Sequence, residues 1–257
     1  MQDHIERYRV DLCAPDVDFK LASALTERGL ALIDGIPDPG SLLHLVRQFA
    51  VVVPHRHSAA DGVTTLVDRG VAARSGRYGF TSRALPPHTD RAGLDDPPTL
   101  LLMTCGWPAT SGGACLLIDG AAVHDDLVRN DPEAVRVLSA SRCALFGGAA
   151  GHLGSVFTTT PDGQVQVRLR MDDLARFAPA AARWLLTLRA AIDRNTITIR
   201  LSCGQGYALH NHRWLHGRRA FTGQRLMYRI HAEPLARVEI PSGFGVLSRP
   251  ASPSSAA

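Results

Sequence analysis

The sequence is short of cysteine, of long apolar runs and of charge of one sign, and each shortage excludes a class of protein. Its five cysteines lie far apart and form no Cys-x-x-Cys pair, so neither a disulfide framework nor a zinc knuckle is indicated. The most apolar run, residues 99–105, is far too short to span a bilayer. The net charge of +4 comes from basic residues spread along the chain, so no nucleic-acid partner is predicted.

A secretory signal is also lacking at the start of the sequence. The residues after Met1 are charged and contain no apolar stretch of the secretory kind. We therefore predict a cytoplasmic protein that acts on a small molecule, with neither a membrane nor a nucleic acid as its partner. The sequence does not indicate an oligomeric state.

The composition that is present is that of an ordinary globular protein. The chain has 257 residues, of which 45% are hydrophobic and 20% charged, so it holds ample material for a core. No internal repeat or linker divides it, and we predict a single domain over residues 1–245. The small and polar residues 246–257 are predicted to form a flexible tail.

Short β-rich runs bounded by glycine, proline or aspartate fill the centre and the C-terminal half of the chain. One of them, TTTPDGQVQVRLR, predicts a hairpin with its turn at Pro161-Asp162-Gly163. Helices are predicted at about 19–28, over PGSLLHLVRQFAVVV with Ser41 as N-cap, after Gly120, and at about 179–194. This pattern predicts a mainly β protein, a sandwich or jelly roll with added helices.

His88 and Asp90 stand two residues apart in LPPHTDRAG, and two other histidines precede an acid at this spacing. His4-Ile5-Glu6 lies in a terminus expected to fray, and His124-Asp125-Asp126 lies in a predicted helix, where residues i and i+2 point apart. Both are interpreted as surface polar groups. Before His88 two prolines favour extended backbone, in which residues i and i+2 face one side. The alternative to a metal site there is an aspartate-capped turn.

A metal site at this place needs a third ligand. Two histidines and one carboxylate on one face of an octahedron leave three positions open for Fe(II) chemistry. The stretch HNHRWLHGRRAF offers His210, His212 and His216. Because all three are even-numbered positions of a predicted strand, periodicity does not choose among them.

Two arginines follow in RLMYRIH, where Arg225, Met227 and Arg229 share one face of a predicted strand. Arginine on the inner face of an apolar strand is costly unless it binds an anion, and a guanidinium can hold a carboxylate through two hydrogen bonds. The alternative is an edge strand with both arginines in water.

His88-Thr89-Asp90, then NHRWLHGRRAF, then RLMYR resemble, in this order and spacing, the Fe(II)/2-oxoglutarate-dependent oxygenases of the taurine dioxygenase and clavaminate synthase-like superfamily. The resemblance covers roughly residues 85–233. It implies a double-stranded β-helix (jelly roll) with flanking α-helices. It also implies a requirement for Fe(II), for 2-oxoglutarate as co-substrate and for O2.

The resemblance also implies roles for the residues that match its motifs. His88, Asp90 and His216 match the iron ligands, which leaves His210 and His212 with supporting or structural roles. Because the carboxylate ligand is present, halogenation is not predicted; the family's halogenases carry a small residue in its place.

The predicted co-substrate site follows the family at one position and departs from it at another. Arg225 matches the arginine that binds the C5 carboxylate of 2-oxoglutarate. SGGACLL resembles the family's GG-x-T segment, but Cys115 stands where the threonine contacts 2-oxoglutarate. A thiol is a poor hydrogen-bonding group, so Thr104 is a candidate to complete the site.

The candidates for substrate binding come from three segments. Arg229 matches a position that in some relatives reaches an anionic group of the substrate. VRLRMDDL resembles a segment that lines the substrate site, which makes Arg170 and Asp172 candidates for binding an amino-acid-like substrate. The alternative there is a hairpin strand with solvated charges. A loop at about 68–83 is placed to act as a lid, with Arg83 as a candidate substrate contact.

The expected reaction is hydroxylation of an unactivated C–H bond in a small amino-acid-like or specialised-metabolite substrate, with release of succinate and CO2. Desaturation or cyclisation would use the same ligands. A non-catalytic jelly-roll protein that binds a metal or ligand, and a hydrolytic zinc enzyme, are the competing classes. The intact ligand set and the two arginines after it favour the oxygenase.

Overall fold

The computed structural model describes residues 3–12, 16–70 and 76–246. Within these ranges the chain is mainly β, as predicted. The helices are α1 Asp3–Glu6, α2 Val17–Arg28, α3 Pro39–Phe49, α4 Gly120–Asn130, α5 Pro132–Leu138, α6 Pro179–Ala182 and α7 Leu185–Arg194. The strands are β1 Leu30–Ile33, β2 Ala50–Val53, β3 Thr64–Leu66, β4 Leu85–His88, β5 Leu100–Trp107, β6 Ser111–Gly112, β7 Cys115–Asp119, β8 Ala144–Phe146, β9 His152–Gly154, β10 Phe157–Thr159, β11 Val165–Val167, β12 Ala175–Phe177, β13 Thr196–Ile199, β14 Gly206–His210, β15 Trp214–Arg218, β16 Phe221–Thr222 and β17 Leu226–Pro234.

Two antiparallel sheets contain most of these strands. The larger has the order β1-β14-β5-β17-β2, with β3 also paired to β17, and the smaller has the order β13-β7-β15-β4. Three small sheets, β12-β8-β9, β10-β11 and β16-β6, complete the described β structure. The pair β10-β11 is the hairpin predicted around Pro161-Asp162-Gly163.

The core has three layers, and strand alternation decides which layer each side chain enters. Leu101, Met103 and Cys105 of β5 pack between the two sheets, together with side chains of β7 and β15. Leu100 and Leu102 of the same strand pack on the opposite face against α2 and α3. The outer face of the smaller sheet is covered by α4, α5 and α7. Successive strand residues point to opposite faces, so each strand contributes to two layers.

The helix predictions were correct in place but wrong in several boundaries. The carboxylate of Asp38, and not Ser41, caps α3 by accepting the backbone N–H of Ser41 at 3.0 Å. The helix stops at Phe49, because the β-branched run that follows forms β2 instead. The helix predicted at 179–194 is divided into α6 and α7, and α5 was not predicted.

No helix in the described ranges is long and apolar enough to cross a membrane. Residues 247–257 lie outside the described part, so the flexible tail stays a prediction.

A buried carboxylate joins two of the covering helices. Asp126 of α4 accepts hydrogen bonds from Arg194 Nε at 2.9 Å and Nη2 at 3.0 Å, and from the side-chain amides of Asn130 and Asn195. The hydrogen bonds from Arg194 are the main reason that the pKa of Asp126 falls from 3.8 to about 2. The ionised form therefore holds α4 against the end of α7.

We predict that Asp126→Ala lowers the free energy of unfolding by about 1 kcal/mol at neutral pH, because the hydrogen bonds from Arg194, Asn130 and Asn195 that join the helices are lost. The folded-state pKa is depressed, so this stabilisation is present above the usual aspartate pKa and is lost as the pH falls through about 2. Urea unfolding measures the effect. The exposed Asp193→Ala, on α7, is the control, and an equal loss there would contradict the assignment.

Candidate metal centre and active site

Three predicted metal ligands meet where β4 pairs with β15. His216 is the Cα partner of His88, and Asp90 lies two residues after the end of β4. His88 Nε2 lies 3.2 Å from Asp90 Oδ1, and His216 Nε2 lies 3.9 Å from the same oxygen. One ligand atom from each residue falls within 4.8 Å of the other two. Among the described residues no other group of three His, Cys, Asp or Glu side chains meets this condition.

The close approach of β4 to β15 requires Gly217. A Cβ atom at this position would lie 2.7 Å from the carbonyl oxygen of Leu85 and 3.0 Å from the nitrogen of Pro87. The prolines are tolerated because β4 is the edge strand of its sheet, where a missing N–H breaks no ladder. Gly217, the residue after His216 on β15, therefore allows the approach that brings the two candidate histidine ligands together.

The imidazoles are held in the form that binds a metal. His88 Nδ1 lies 2.9 Å from the carbonyl oxygen of Pro86, so Nδ1 carries the hydrogen and Nε2 keeps its lone pair toward Asp90. Burial, with help from His88, lowers the pKa of His216 to about 3. The His216 imidazole is therefore neutral at physiological pH.

The two oxygens of Asp90 have different partners. Oδ1 faces the histidines, whereas Oδ2 accepts hydrogen bonds from His231 Nε2 at 2.7 Å and Arg229 Nη1 at 2.9 Å. Burial opposes ionisation, but the charge of Arg229 and the hydrogen bond from His231 hold the pKa of Asp90 well below its usual range. Oδ1 is left as an anionic ligand atom for a metal.

The backbone of Asp90 is fixed separately from its side chain. Asn211 accepts the backbone N–H of Asp90 at 2.8 Å and donates to the carbonyl oxygen of Asp90 at 3.0 Å and to that of Pro98 at 2.9 Å. Asn211 is fully buried, so these bonds do not compete with water. The segment after β4 is tied to the turn that precedes β15.

His231 and Asn211 were not among the residues predicted from the sequence. Strand alternation could have indicated His231, because it lies two residues after Arg229 and therefore on the same face of β17. No local pattern indicated Asn211, since its partners lie more than a hundred residues earlier in the chain.

The predicted co-substrate residues Arg225 and Cys115 lie together. Arg225 Nη2 is 3.8 Å from Cys115 Sγ, and burial raises the pKa of that thiol, so it stays protonated. In the pairing of β15 with β7, Leu117 lies opposite His216 and Cys115 lies opposite Arg218. Along β7, Cys115 is therefore two residues, roughly 6–7 Å, from Leu117, the residue opposite His216.

Thr104 is not brought to Arg225 and Cys115. It lies on the face of β5 that carries Leu100 and Leu102, and its Oγ1 is buried without a hydrogen-bond partner in the described part of the chain. Cys105, the next residue, points between the sheets toward Cys115.

A cavity of about 320 Å³ is lined by two of the three candidate ligands, His88 and Asp90, and by most of the predicted substrate residues. Arg229, Arg170 and Asp172 line it. Arg170 donates to both carboxylate oxygens of Asp172, at 2.7 Å and 2.5 Å, so one wall carries a paired positive and negative group.

Arg83 is not among the residues that line this cavity. Its side chain is exposed, and its backbone carbonyl oxygen accepts a hydrogen bond from Arg218. Residues 71–75 of the predicted lid lie outside the described residues, but Tyr78 and Phe80 form part of the cavity wall.

We predict that His231→Leu weakens Fe(II) binding about ten- to a hundredfold, because it removes a hydrogen bond that orients the Asp90 ligand. The dissociation constant can be measured anaerobically by titration calorimetry. His210→Leu is the matched control, since His210 is equally buried but makes no contact with Asp90. An equal weakening in both variants would show that the effect comes from general destabilisation.

Solved structures share this fold. Asparagine oxygenase in complex with Fe(II), 2S,3S-3-hydroxyasparagine and succinate aligns with a TM-score of 0.66 at 17% identity, over 85% of this chain and 79% of its own. The iron- and alpha-ketoglutarate-dependent oxygenase PvcB aligns at 0.64 and 19% identity, over 83% of this chain and 79% of its own. The non-heme iron oxygenase OrfP aligns at 0.65 and 16% identity, over 91% and 85%.

Curated relatives are more similar in sequence. Gamma-butyrobetaine dioxygenase of Pseudomonas sp. (strain AK-1) is 28% identical over 213 residues, which are 77% of this chain and 54% of the relative. Mitochondrial trimethyllysine dioxygenase of Gallus gallus is 26% identical over 169 residues, 58% of this chain and 40% of the relative. The chain thus spans about half the length of these relatives.

A family model described as "Taurine catabolism dioxygenase TauD, TfdA family" matches residues 9–231, a range that includes every ligand of the candidate metal centre. The chain belongs to the TauD, TfdA family.

Proposed function

We propose that this protein is an Fe(II)- and 2-oxoglutarate-dependent oxygenase that hydroxylates a small amino-acid-like substrate. The observation that carries the proposal is the convergence of His88, Asp90 and His216 beside a cavity lined by the Arg170–Asp172 pair. Two neutral imidazoles and one carboxylate on one side of a metal are the ligands of non-heme Fe(II) oxygenases.

The metal would be held by Nε2 of His88 and His216 and by Oδ1 of Asp90. Bound Fe(II) with 2-oxoglutarate and O2 would supply an oxidant for an unactivated C–H bond, with release of succinate and CO2. Arg225 would bind the C5 carboxylate of 2-oxoglutarate, with the Cys115 thiol beside it. Two guanidinium–carboxylate hydrogen bonds there would hold the co-substrate in one orientation.

The substrate would lie against the wall formed by Arg170 and Asp172. An α-amino acid carries an ammonium and a carboxylate on one carbon, and this wall presents a carboxylate and a guanidinium side by side. Arg229 would contribute a positive charge at the metal end of the cavity, where it already bonds Asp90. Structural neighbours that bind hydroxyasparagine and (3S)-hydroxy-L-arginine support an amino-acid-like substrate.

The two packed sheets are proposed to form the double-stranded β-helix of this superfamily, within a single domain over residues 1–245. A cytoplasmic location stays a prediction.

Desaturation or cyclisation would use the same residues as hydroxylation, and the mass of the product distinguishes them.

The first test adds Fe(II) and then 2-oxoglutarate to the metal-free protein without oxygen and records the visible spectrum. We expect the weak charge-transfer band of the chelate in the wild type and in His210→Ala, and its loss in His216→Ala. His210 is as buried as His216 but lies outside the ligand group. A folded wild-type protein without the band would overturn the proposed function.

We further predict that Arg225→Gln raises the dissociation constant of 2-oxoglutarate about tenfold or more, the scale of one hydrogen bond between charged groups. Titration of the same band measures it, with Fe(II) binding unchanged. Arg219→Gln is the control because Arg219 is exposed nearby. Equal affinities in all three proteins would remove Arg225 from the co-substrate site.

A further inference from the structure

Arg218 is a buried cation with no function in the proposed site. Only 5% of the residue is exposed, and no carboxylate within the described ranges forms an ion pair with it. A buried guanidinium is costly unless its hydrogens are bonded. Arg218 lies two residues after His216 on β15 and points to the same face of the sheet.

The hydrogen bonds of Arg218 go to one short segment of backbone. Its Nη2 donates to the carbonyl oxygens of Thr81 at 2.8 Å and Arg83 at 2.7 Å, and more weakly to that of Tyr78 at 3.4 Å. We call residues 78–83 the wall segment, because Tyr78 and Phe80 line the substrate cavity. One side chain of the metal-ligand strand thus holds this wall.

Arg218 shares an aromatic neighbour with Arg225, the residue proposed to bind the C5 carboxylate of 2-oxoglutarate. The Arg218 and Arg225 guanidinium carbons lie 4.6 Å and 5.7 Å from the centre of the Phe221 ring. Arg218 Nη1 is buried and has no hydrogen-bond partner in the described part of the chain. Burial first, and then the charge of Arg225, lower the pKa of Arg218 to about 10. Two like charges therefore contact one aromatic ring, and the carboxylate of Asp68 only partly offsets the effect of burial and of Arg225 on Arg218.

We propose that Arg218 couples the binding of a dicarboxylate at Arg225 to the position of the wall segment. This rests on the proposed function, since 2-oxoglutarate is the dicarboxylate. A carboxylate at Arg225 offsets the repulsion between the two guanidiniums and strengthens the hold of Arg218 on the carbonyl oxygens of the segment. Arg218 is a positioning residue: it makes the substrate cavity complete only after the co-substrate has bound.

The test is hydrogen–deuterium exchange on the full chain loaded with Fe(II), without oxygen, with and without saturating 2-oxoglutarate. The backbone N–H groups of Phe80 and Thr81 report on the segment, because they donate to the carbonyl oxygens of Arg77, just before it, and of Tyr78. We expect 2-oxoglutarate to slow their exchange roughly tenfold in the wild type and in Arg219→Gln, the scale of one charge-assisted hydrogen bond. In Arg218→Gln the co-substrate should still give the chelate band, but the slowing should be lost.

Arg218→Lys serves where the glutamine variant does not fold. It keeps the charge but lacks the planar fork that reaches several carbonyl oxygens at once, so it should also lose the slowing. Unchanged exchange in a wild-type protein whose chelate band is saturated overturns the coupling and leaves the proposed function intact. Retained slowing in folded Arg218→Gln or Arg218→Lys also overturns it. No band in the wild type overturns the proposed function and the coupling together.

Discussion

The pairing of β4 with β15 across Gly217 is the contact on which the rest of the site depends. It places His88 opposite His216, and it brings Asp90 to the same point because Asp90 lies only two residues after the end of β4. The same strand β15 inserts Trp214 into the layer between the sheets and directs Arg218 toward the cavity wall. Core, metal ligands and wall are therefore set by one register, and a shift by one residue would turn all three to the wrong face.

The site also depends on how its buried charges are compensated. Asp90 is stabilised by Arg229 and His231, and Asp172 by Arg170, so neither carboxylate is left unpaired. Removing one partner from such a group costs more than the pair contributes, because a buried charge remains. Arg225 forms no such pair within the described residues, which suits it to the proposed role of binding an anion from outside the protein.

Much of this arrangement could be predicted from the sequence, because it follows from alternation and motif order. The convergence of His88, Asp90 and His216 and the strand positions around them could be predicted from period-two patterns and a family resemblance alone. Alternation also predicted that Arg225, Met227 and Arg229 oppose Tyr228 and Ile230; in the structure Met227 enters the layer between the sheets, whereas Tyr228 and Ile230 pack against the helices.

The features that could not be predicted depend on contacts between distant segments. Asn211 forms hydrogen bonds with the backbone of Asp90 and Pro98. Arg218 donates hydrogen bonds to backbone carbonyl oxygens that any residue at 78, 81 and 83 would supply. Thr104 was chosen for its chemistry, but the register of β5 turns it to the helix side. The N-cap of α3 was placed at Ser41 because serine is a good cap, although Asp38 stands at the helix start.

The hydrogen bond from His88 to the carbonyl oxygen of Pro86 has a consequence for the thermodynamics of metal binding. This bond lies within β4 itself, and the prolines before His88 leave the strand few other conformations. The conformational entropy of fixing the His88 imidazole in one orientation is therefore lost when the chain folds and not when the metal binds. Rapid capture of a weakly held ion such as Fe(II) is favoured by a ligand that needs no reordering.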